Sequence, residues 1–334
     1  MKLNIQKFAI ALTDTVNYSG MLYAKTDETT RFLDAIYSRG KNGGKTTVYS
    51  TEFVLSSGYE LADPTQPAIS EEASLEAPTA TTVERTQEYN VAQIFQKAVS
   101  VSYMKQSNRD ALAGVNNANA VNGVANELDF QIGKQIAQIK LDLNYTALNG
   151  AYQYTKGSTS IAPKTRGLLN AITSNVEDAN GAELTKKMVN DLLVKAISNG
   201  ANVGAMEIWA NPADLDVITD VYTGVAGSTL PASRTQGGVA YSEVLTQFGV
   251  LPINWDSKIP SGTLLFANMG EIAIAEKPYF NENGEELGVL FYESLAKVGA
   301  SENGQIYGEL GLDYSSERLH AKIVDFATTE VETA

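Results

Sequence analysis

No cysteine occurs in the chain, which excludes disulfide staples, zinc–thiolate sites and thiol nucleophiles. A cysteine-free chain fits folding in a reducing cytosol. Histidine is almost absent too. The single one, His320, cannot build a His-rich metal site. It stands in Arg318-Leu319-His320-Ala321-Lys322-Ile323-Val324, which reads as a strand. Alternation puts it opposite Leu319 and Ile323, in a polar outward position. No Gly-x-Ser-x-Gly elbow surrounds any serine. No stretch approaches the ~20 apolar residues of a membrane span. The N-terminal apolar run, Phe8 to Leu12, is too short for a signal-peptide core, and Thr13-Asp14 ends it, so a soluble, unexported protein is expected. Charge is also scarce: 19% of residues carry one, against ~25% in an ordinary protein. The net charge is −14 and no dense Lys/Arg run occurs. Such a surface repels phosphate backbones, so neither specific nucleic-acid binding nor a membrane partner is expected.

What remains is a chain of 334 residues, 43% hydrophobic, in which Tyr (16) outnumbers Phe (10). That length accommodates two compact units with protruding loops. Low charge with abundant Tyr and small polar residues hints at surfaces covered by other protein.

The order of segments carries more. Residues 1–38 read as an arm plus one helix, with Phe32, Leu33, Ile36 and Tyr37 at helical spacing, and Gly40 to Gly44 breaks the chain. Thr46 to Leu55 reads as a strand. Thr81 to Asn90 alternates again, and the Pro- and Glu-rich residues between them cannot fill a core. The pair forms a long hairpin that gains stability only by lying on something else. The competing reading of this stretch is a disordered acidic linker. Residues 93–112 read as a strand entering the main unit. Val124, Leu128, Ile132, Ile136, Ile139 and Leu143 then form one apolar helical stripe ended by Asn149-Gly150. A helix of about 30 residues is roughly 45 Å long, well above the ~11–12-residue average, and so reads as a spine. Residues 151–182 are loop-rich. From 183 the texture is α/β: a helix from Leu184 to Ile197, a strand at Met206 to Ala210, and a helix opened by Asn211-Pro212. A small-residue loop follows at Gly224 to Gly238, then a third helical segment at Ser242 to Phe248, and strands at Leu251 to Trp255 and Gly262 to Ala267. Glu271 to Glu276, Gly288 to Glu293, Gln305 to Leu312 and Arg318 to Phe326 read as strands finishing one closing sheet.

Three sequences imitate chemistry. Gly40 to Thr46 ends like a phosphate-binding loop, but the required first glycine is Arg39, and a strand follows where a helix should. Carboxylate pairs such as Glu71/Glu72 and Glu285/Glu286 are expected by chance, and a cleft holding two of them is what a glycosidase would need. Glu282 to Glu286 lacks the alternating ligands of a calcium loop and reads as a solvated hairpin tip. No catalytic, cofactor-binding or metal-ligating residue is assigned, and no enzyme is expected.

Five segments in fixed order carry a resemblance: Tyr89 to Ser102, Glu127 to Leu143 with its Gly133-Lys134-Gln135, Thr165-Arg166-Gly167-Leu168-Leu169, Ile208 to Pro212, and Gly262 to Phe266. In this order they resemble the major capsid (major head) proteins of tailed bacteriophages, of the Hong Kong 97 type, over about residues 25–327. The resemblance implies an α+β fold: an N-terminal arm (1–44) and an extended β-hairpin loop (45–92). It also implies a peripheral domain (93–182 and 263–334) with a spine helix over 120–149, and an axial α/β domain (183–262) with its tip at Gly224 to Gly238. It further implies a shell of hexamers and pentamers enclosing phage DNA, assembled in the host cytoplasm and found in the virion, with no cofactor. The buried contacts on a neighbour would come from Val54, Leu55, Tyr59 and Ile69 of the hairpin and from Phe8, Ile10 and Leu12 of the arm. No long helical scaffolding segment precedes the arm, which implies either a separate scaffolding protein or prior processing of the N-terminus; a portal and a cement protein are the other partners implied. Lysine is absent from 46–96, which argues against a lysine-based cross-link from the extended loop. An encapsulin-like bacterial compartment shares the fold and stays open as the alternative. An acidic-cleft carbohydrate-acting enzyme or binding module is the reading from another class.

Overall fold

A computed structural model describes residues 30–59, 64–80, 82–83, 85–107, 127–223, 234–236 and 239–328. In chain order the elements are helix α1 (Arg31–Arg39), strands β1 (Lys45–Thr47) and β2 (Glu52–Tyr59), the single turn α2 (Glu71–Ser74), and strands β3 (Arg85–Val91) and β4 (Gln93–Ser102). Then come α3 (Tyr103–Ser107), the spine helix α4 (Glu127–Asn149), α5 (Leu168–Ala171), β5 (Val176–Asp178), α6 (Lys186–Ser198), β6 (Met206–Ala210) and α7 (Leu215–Thr223). The rest is mostly strand: β7 (Arg234–Gln236), β8 (Val239–Thr246), β9 (Gly249–Trp255), β10 (Leu264–Asn268), β11 (Ala273–Lys277), β12 (Tyr279–Phe280), β13 (Glu286–Gly288), β14 (Leu290–Ser294), β15 (Ser301–Asp313) and β16 (Ala321–Val324).

Two sheets organise these elements, each over its own core. The first has five strands built around β15, the longest. β4 lies along one edge of it, while β14 and β11 share the other edge in succession and β1 runs parallel to β11. The apolar stripe of α4 (Ile132, Ile136, Ile139, Leu143, Ala147) packs in this core with Phe95 and Val99 of β4. The 23 described residues of α4 span about 35 Å at ~1.5 Å per residue. Buried Lys140 of α4 pairs with Asp34 of α1 at 2.7 Å, and Lys97 of β4 reaches Asp142 of α4 at 2.7 Å. The second sheet runs β5-β16-β10-β6-β9-β8-β7, with α6 and α7 against it through Leu192, Leu193, Ile218 and Tyr222.

α1 joins the two. Phe32, Leu33 and Ile36 are fully buried, and Phe32 meets Trp209 of β6 edge-on at 5.1 Å between centroids. The first amides of a helix lack internal partners, and Thr30 makes no side-chain cap here. Distant side chains supply the acceptors instead: Phe32 N–H donates to Asp256 Oδ2 (3.1 Å) and Leu33 N–H to Asn144 Oδ1 (2.9 Å). Asn144 Nδ2 also donates to Asp256 Oδ2 (3.0 Å), so α1, the spine helix and the end of β9 meet at one buried node.

Several expectations are corrected. Ser242 to Phe248 is not helical. Residues through Thr246 belong to β8, antiparallel to β9, where Val244 is buried and Leu245 exposed in strand alternation. Pairing with β9 overrides the short helical pattern. Thr46 to Leu55 is two strands, because β1 pairs with β11 and β2 with β3. β4 ends at Ser102 and a short helix follows; 108–112 lie outside the described residues, as do 120–126 of the expected spine helix. Of the loop Gly224 to Gly238, Arg234–Gln236 form β7 against β8 and the remainder lies outside the described residues. β15 and β16 do not finish one sheet, since they belong to different ones. His320 does not face outward. It is fully buried just ahead of β16, where Nδ1 accepts from Asn268 N–H (3.2 Å) and Nε2 lies 3.0 Å from the Tyr314 carbonyl, a donor's position.

Candidate assembly surfaces

The extended hairpin is β2 paired with β3, and among the described residues no third strand joins either outer edge. Its root is built into the first core. Phe53 and Leu55 are buried, and the register slips between Val54/Tyr89 and Ser56/Glu88, a bulge that re-aims the strand. Asn90, fully buried, fixes the root with four hydrogen bonds. Its Nδ2 donates to the carbonyls of Leu312 (2.7 Å) and Arg166 (3.1 Å), and its Oδ1 accepts from Val91 N–H (2.9 Å) and Arg166 N–H (2.8 Å). Beyond the root, nothing among the described residues covers the hairpin. Every residue of 64–80 is exposed, including Ile69 (73%) and Leu75 (84%). The tip nonetheless has local structure, because Ser70 Oγ accepts from Ala73 N–H and caps α2.

The expected contact residues divide accordingly. Val54 and Ile69 are exposed, whereas Leu55 is already buried within its own chain because the root strand packs on the core. The Tyr59 side chain and the arm residues Phe8, Ile10 and Leu12 lie outside the described residues. A second uncovered surface was not read from the sequence. Tyr49 (76% exposed) stacks on Phe280 at 6.5 Å, beside Tyr279, which stacks on Phe291 at 5.2 Å. These aromatics lie far apart in the chain and only the pairing of β12 with β13 and of β1 with β11 gathers them.

A cleft of about 620 Å³ opens at the hairpin root, lined by Glu52, Glu88, Tyr89, Tyr152, Arg166 and Glu317 among others. Burial works to raise the Glu317 carboxyl, but donors on Ser174 and Thr173 outweigh it and hold the group below the usual carboxylate range. Glu88 is pushed up, by burial first and then by the neighbouring Glu317. One carboxylate is therefore spent on the backbone and hydroxyls of 173–174, which is an anchoring arrangement and not that of a free acid–base pair. The imitations of chemistry resolve similarly. Lys45 and Thr46 lie in β1, and the turn after Phe280 is closed by Asn281 Oδ1 accepting from Asn283 and Glu285 N–H. Among the described residues no group of three or more His, Asp or Glu could hold a metal ion, and no helix is long and apolar enough to cross a membrane.

Residues 4–327 match the family described as SU10 major capsid protein. The chain belongs to that family. It is thus a shell-forming structural protein of the virion capsid and not an enzyme. No curated protein matches the sequence. Solved structures with the same Hong Kong 97-like fold include the capsid of cyanophage A-1(L), 13% identical with a TM-score of 0.59 over 91% of this chain and 94% of that one. The capsid of Myoviridae phage XM1 is 14% identical with a TM-score of 0.53, over 90% and 93%. The holo-SrpI encapsulin complex of Synechococcus elongatus PCC 7942 is 13% identical with a TM-score of 0.58, over 97% and 99%. At these identities the likeness is one of fold, and family membership, not the neighbours, separates a capsid from an encapsulin.

Proposed function

We propose that this capsid protein closes its shell as hexamers and pentamers in which each extended hairpin lies on a neighbouring subunit. The observation that carries the reading is the complete exposure of residues 64–80 beyond a firmly anchored root. A segment that buries nothing of its own chain, yet has a capped turn and two exposed aliphatic side chains, is stabilised by what it lies on. The parts are assigned as N-terminal arm 1–44, extended loop 45–92, peripheral domain 93–182 with 263–334, and axial domain 183–262 with its tip at 224–238. In this division β5, β10 and β16 come from the peripheral stretch but belong to the same seven-stranded sheet as the strands of the axial one. Head-to-tail contacts of this kind close into rings. The net charge of −14 keeps free subunits apart from DNA phosphates. A separate scaffolding protein, a portal and a cement protein are the remaining proposed partners. The encapsulin-like compartment shares the fold, and membership of the capsid family speaks against it.

The chain is expressed alone and examined by sizing chromatography with light scattering, then by negative-stain electron microscopy. Rings, tubes or closed shells of megadalton mass support the proposal. A monomer of 35.9 kDa that never assembles, even with its scaffold, refutes it. Particles that load a co-expressed enzyme and ignore the portal favour the compartment.

A further inference from the structure

Charge along this chain is segregated. Residues 46–84 contain seven acids (Glu52, Glu60, Asp63, Glu71, Glu72, Glu76, Glu84) and no Lys or Arg. Residues 143–176 contain Lys156, Lys164 and Arg166 and no acid. The first stretch holds the outgoing strand and the tip of the extended hairpin, whose return strand β3 begins at Arg85. The second includes a closed loop that protrudes between the spine helix and α5. Its neck is stiff: Gly167 N–H donates to the Gly150 carbonyl at 2.8 Å, and a Cβ on Gly167 would lie 2.4 Å from Gly150 N, so only glycine fits. Above the neck, Gln153 and Lys164 exchange both backbone hydrogen bonds (3.1 and 2.8 Å), and a turn at Thr155–Ser158 closes the end. The loop exposes Tyr152, with Arg166 stacked over its ring at 4.6 Å, and Ile161. Lys156 and Lys164 are exposed and neither makes an ion pair among the described residues.

The opposite member has the same incompleteness. Glu71, Glu72 and Glu76 of the hairpin tip are exposed and unpaired among the described residues, beside the exposed aliphatics Ile69 and Leu75. An acidic tip with two aliphatic side chains and a basic loop with Tyr152 and Ile161 are complementary in charge and in apolar character. The loop flanks the root of its own hairpin, since Tyr152 and Arg166 line the root cleft. The tip stands beyond eight residues of β2, about 27 Å at ~3.4 Å per residue. Residues 64–80 are exposed throughout in the single chain, so the contact is placed between two copies.

We propose that the closed loop 151–164 is the seat for the hairpin tip of the neighbouring subunit. Lys156 and Lys164 face Glu71, Glu72 and Glu76, and Tyr152 and Ile161 cover Ile69 and Leu75. The proposal rests on the reading that the hairpin lies on a neighbour, and it adds the place. Because each copy carries one tip and one seat, the contact is head-to-tail and repeats around every capsomer.

The cysteine-free sequence supplies the test. Leu75→Cys with Ser160→Cys is treated, as assembled shells, with a short bismaleimide and run on denaturing gels. A ladder of dimers and higher multimers is expected, and none from the control pair Leu75→Cys with Ser198→Cys, whose second site is exposed on α6. In parallel, Lys156→Glu with Lys164→Glu lowers shell yield roughly tenfold or more, because every subunit repeats the repulsion. Adding Glu71→Lys, Glu72→Lys and Glu76→Lys restores the yield. Absence of the 75–160 cross-link in well-formed shells overturns the seat, whatever the charge variants do, and leaves the hairpin on a neighbour elsewhere. A hairpin as open to protease in shells as in free subunits overturns the underlying reading instead.

Discussion

Asn90 is the residue on which the hairpin's orientation depends, and Asn90→Ala tests this directly. The truncation removes four hydrogen bonds at once. Two of the groups released, the Leu312 carbonyl and the Val91 amide, are in fully buried bonds, while the Arg166 groups are partly reachable by water. A buried polar group left unpaired costs ~1–3 kcal/mol, so the pair of buried losses costs about 3 kcal/mol or more. For a chain of 334 residues that corresponds to a fall in melting temperature of roughly 4 °C. Asn90→Asp is no rescue. It retains the two accepted bonds but replaces both donors with an anionic oxygen aimed at two carbonyls. The assay is calorimetry of the full chain together with limited proteolysis between β2 and β3. Loss of the root raises the population of locally opened hairpin, so cleavage there accelerates more than elsewhere. An alanine variant melting within about 1 °C of the parent, with unchanged cleavage in the hairpin, would refute the role given to Asn90.

His320 is pushed down to about 4 by its burial. The unfolded chain therefore binds a proton that the fold refuses, and stability is full above the ordinary value near 6.5 and lost as pH falls toward 4. The loss reaches about 3 kcal/mol, and urea unfolding at pH 7 and pH 5 should show a difference that His320→Gln abolishes. Lys140→Met takes from half-buried Asp34 its 2.7 Å ion-pair partner and should cost about 2 kcal/mol in the same assay, while Lys140→Met with Asp34→Leu restores most of it. A Cβ at Gly304 would sit 2.1 Å from the Tyr292 hydroxyl, so Gly304→Val should displace that ring at a cost of about 2 kcal/mol. Gly304→Val with Tyr292→Ala should cost less than the sum of the two single changes.

Periodicity made the spine helix legible. Ile132, Ile136, Ile139 and Leu143 recur at helical spacing because one face meets the five-stranded sheet, and the same residues are buried. The helix at Lys186–Ser198 and the strand at Met206–Ala210 were readable for the same reason. The hairpin was readable by the opposite signal, a Pro- and Glu-rich stretch that could not pack. What failed depended on partners distant in sequence. Val239–Thr246 is a strand because β9 lies beside it, and no local pattern contains β9. His320 looked outward because alternation assumed a strand, whereas β16 begins only at Ala321 and the ring satisfies groups from Asn268 and Tyr314. Asn90 and Asn144 are polar residues on inward faces of apolar patterns. That mismatch was the available signal for both, but their partners include Leu312 and Leu33, 222 and 111 residues away.

The energetics of the hairpin follow from its being exposed. Covering Ile69 and Leu75 gives ~1.5–3 kcal/mol each at most, and surface ion pairs at the tip add ~0.2–1 kcal/mol apiece. Ordering the tip and losing subunit freedom offset much of that. One tip on one seat is therefore a weak contact, and a free pair of subunits should separate readily. In a closed ring each subunit both gives a tip and receives one, so no subunit leaves without breaking two such contacts. Stability then rises steeply with closure although every single contact stays weak. The same arithmetic explains the anchoring of the root. If Asn90 let the hairpin swing, the effective concentration of tip at seat would fall and closure would be the first thing lost. A root variant that still melts near the parent temperature but makes open fragments in place of shells would separate these two contributions, stability of the fold and aim of the hairpin.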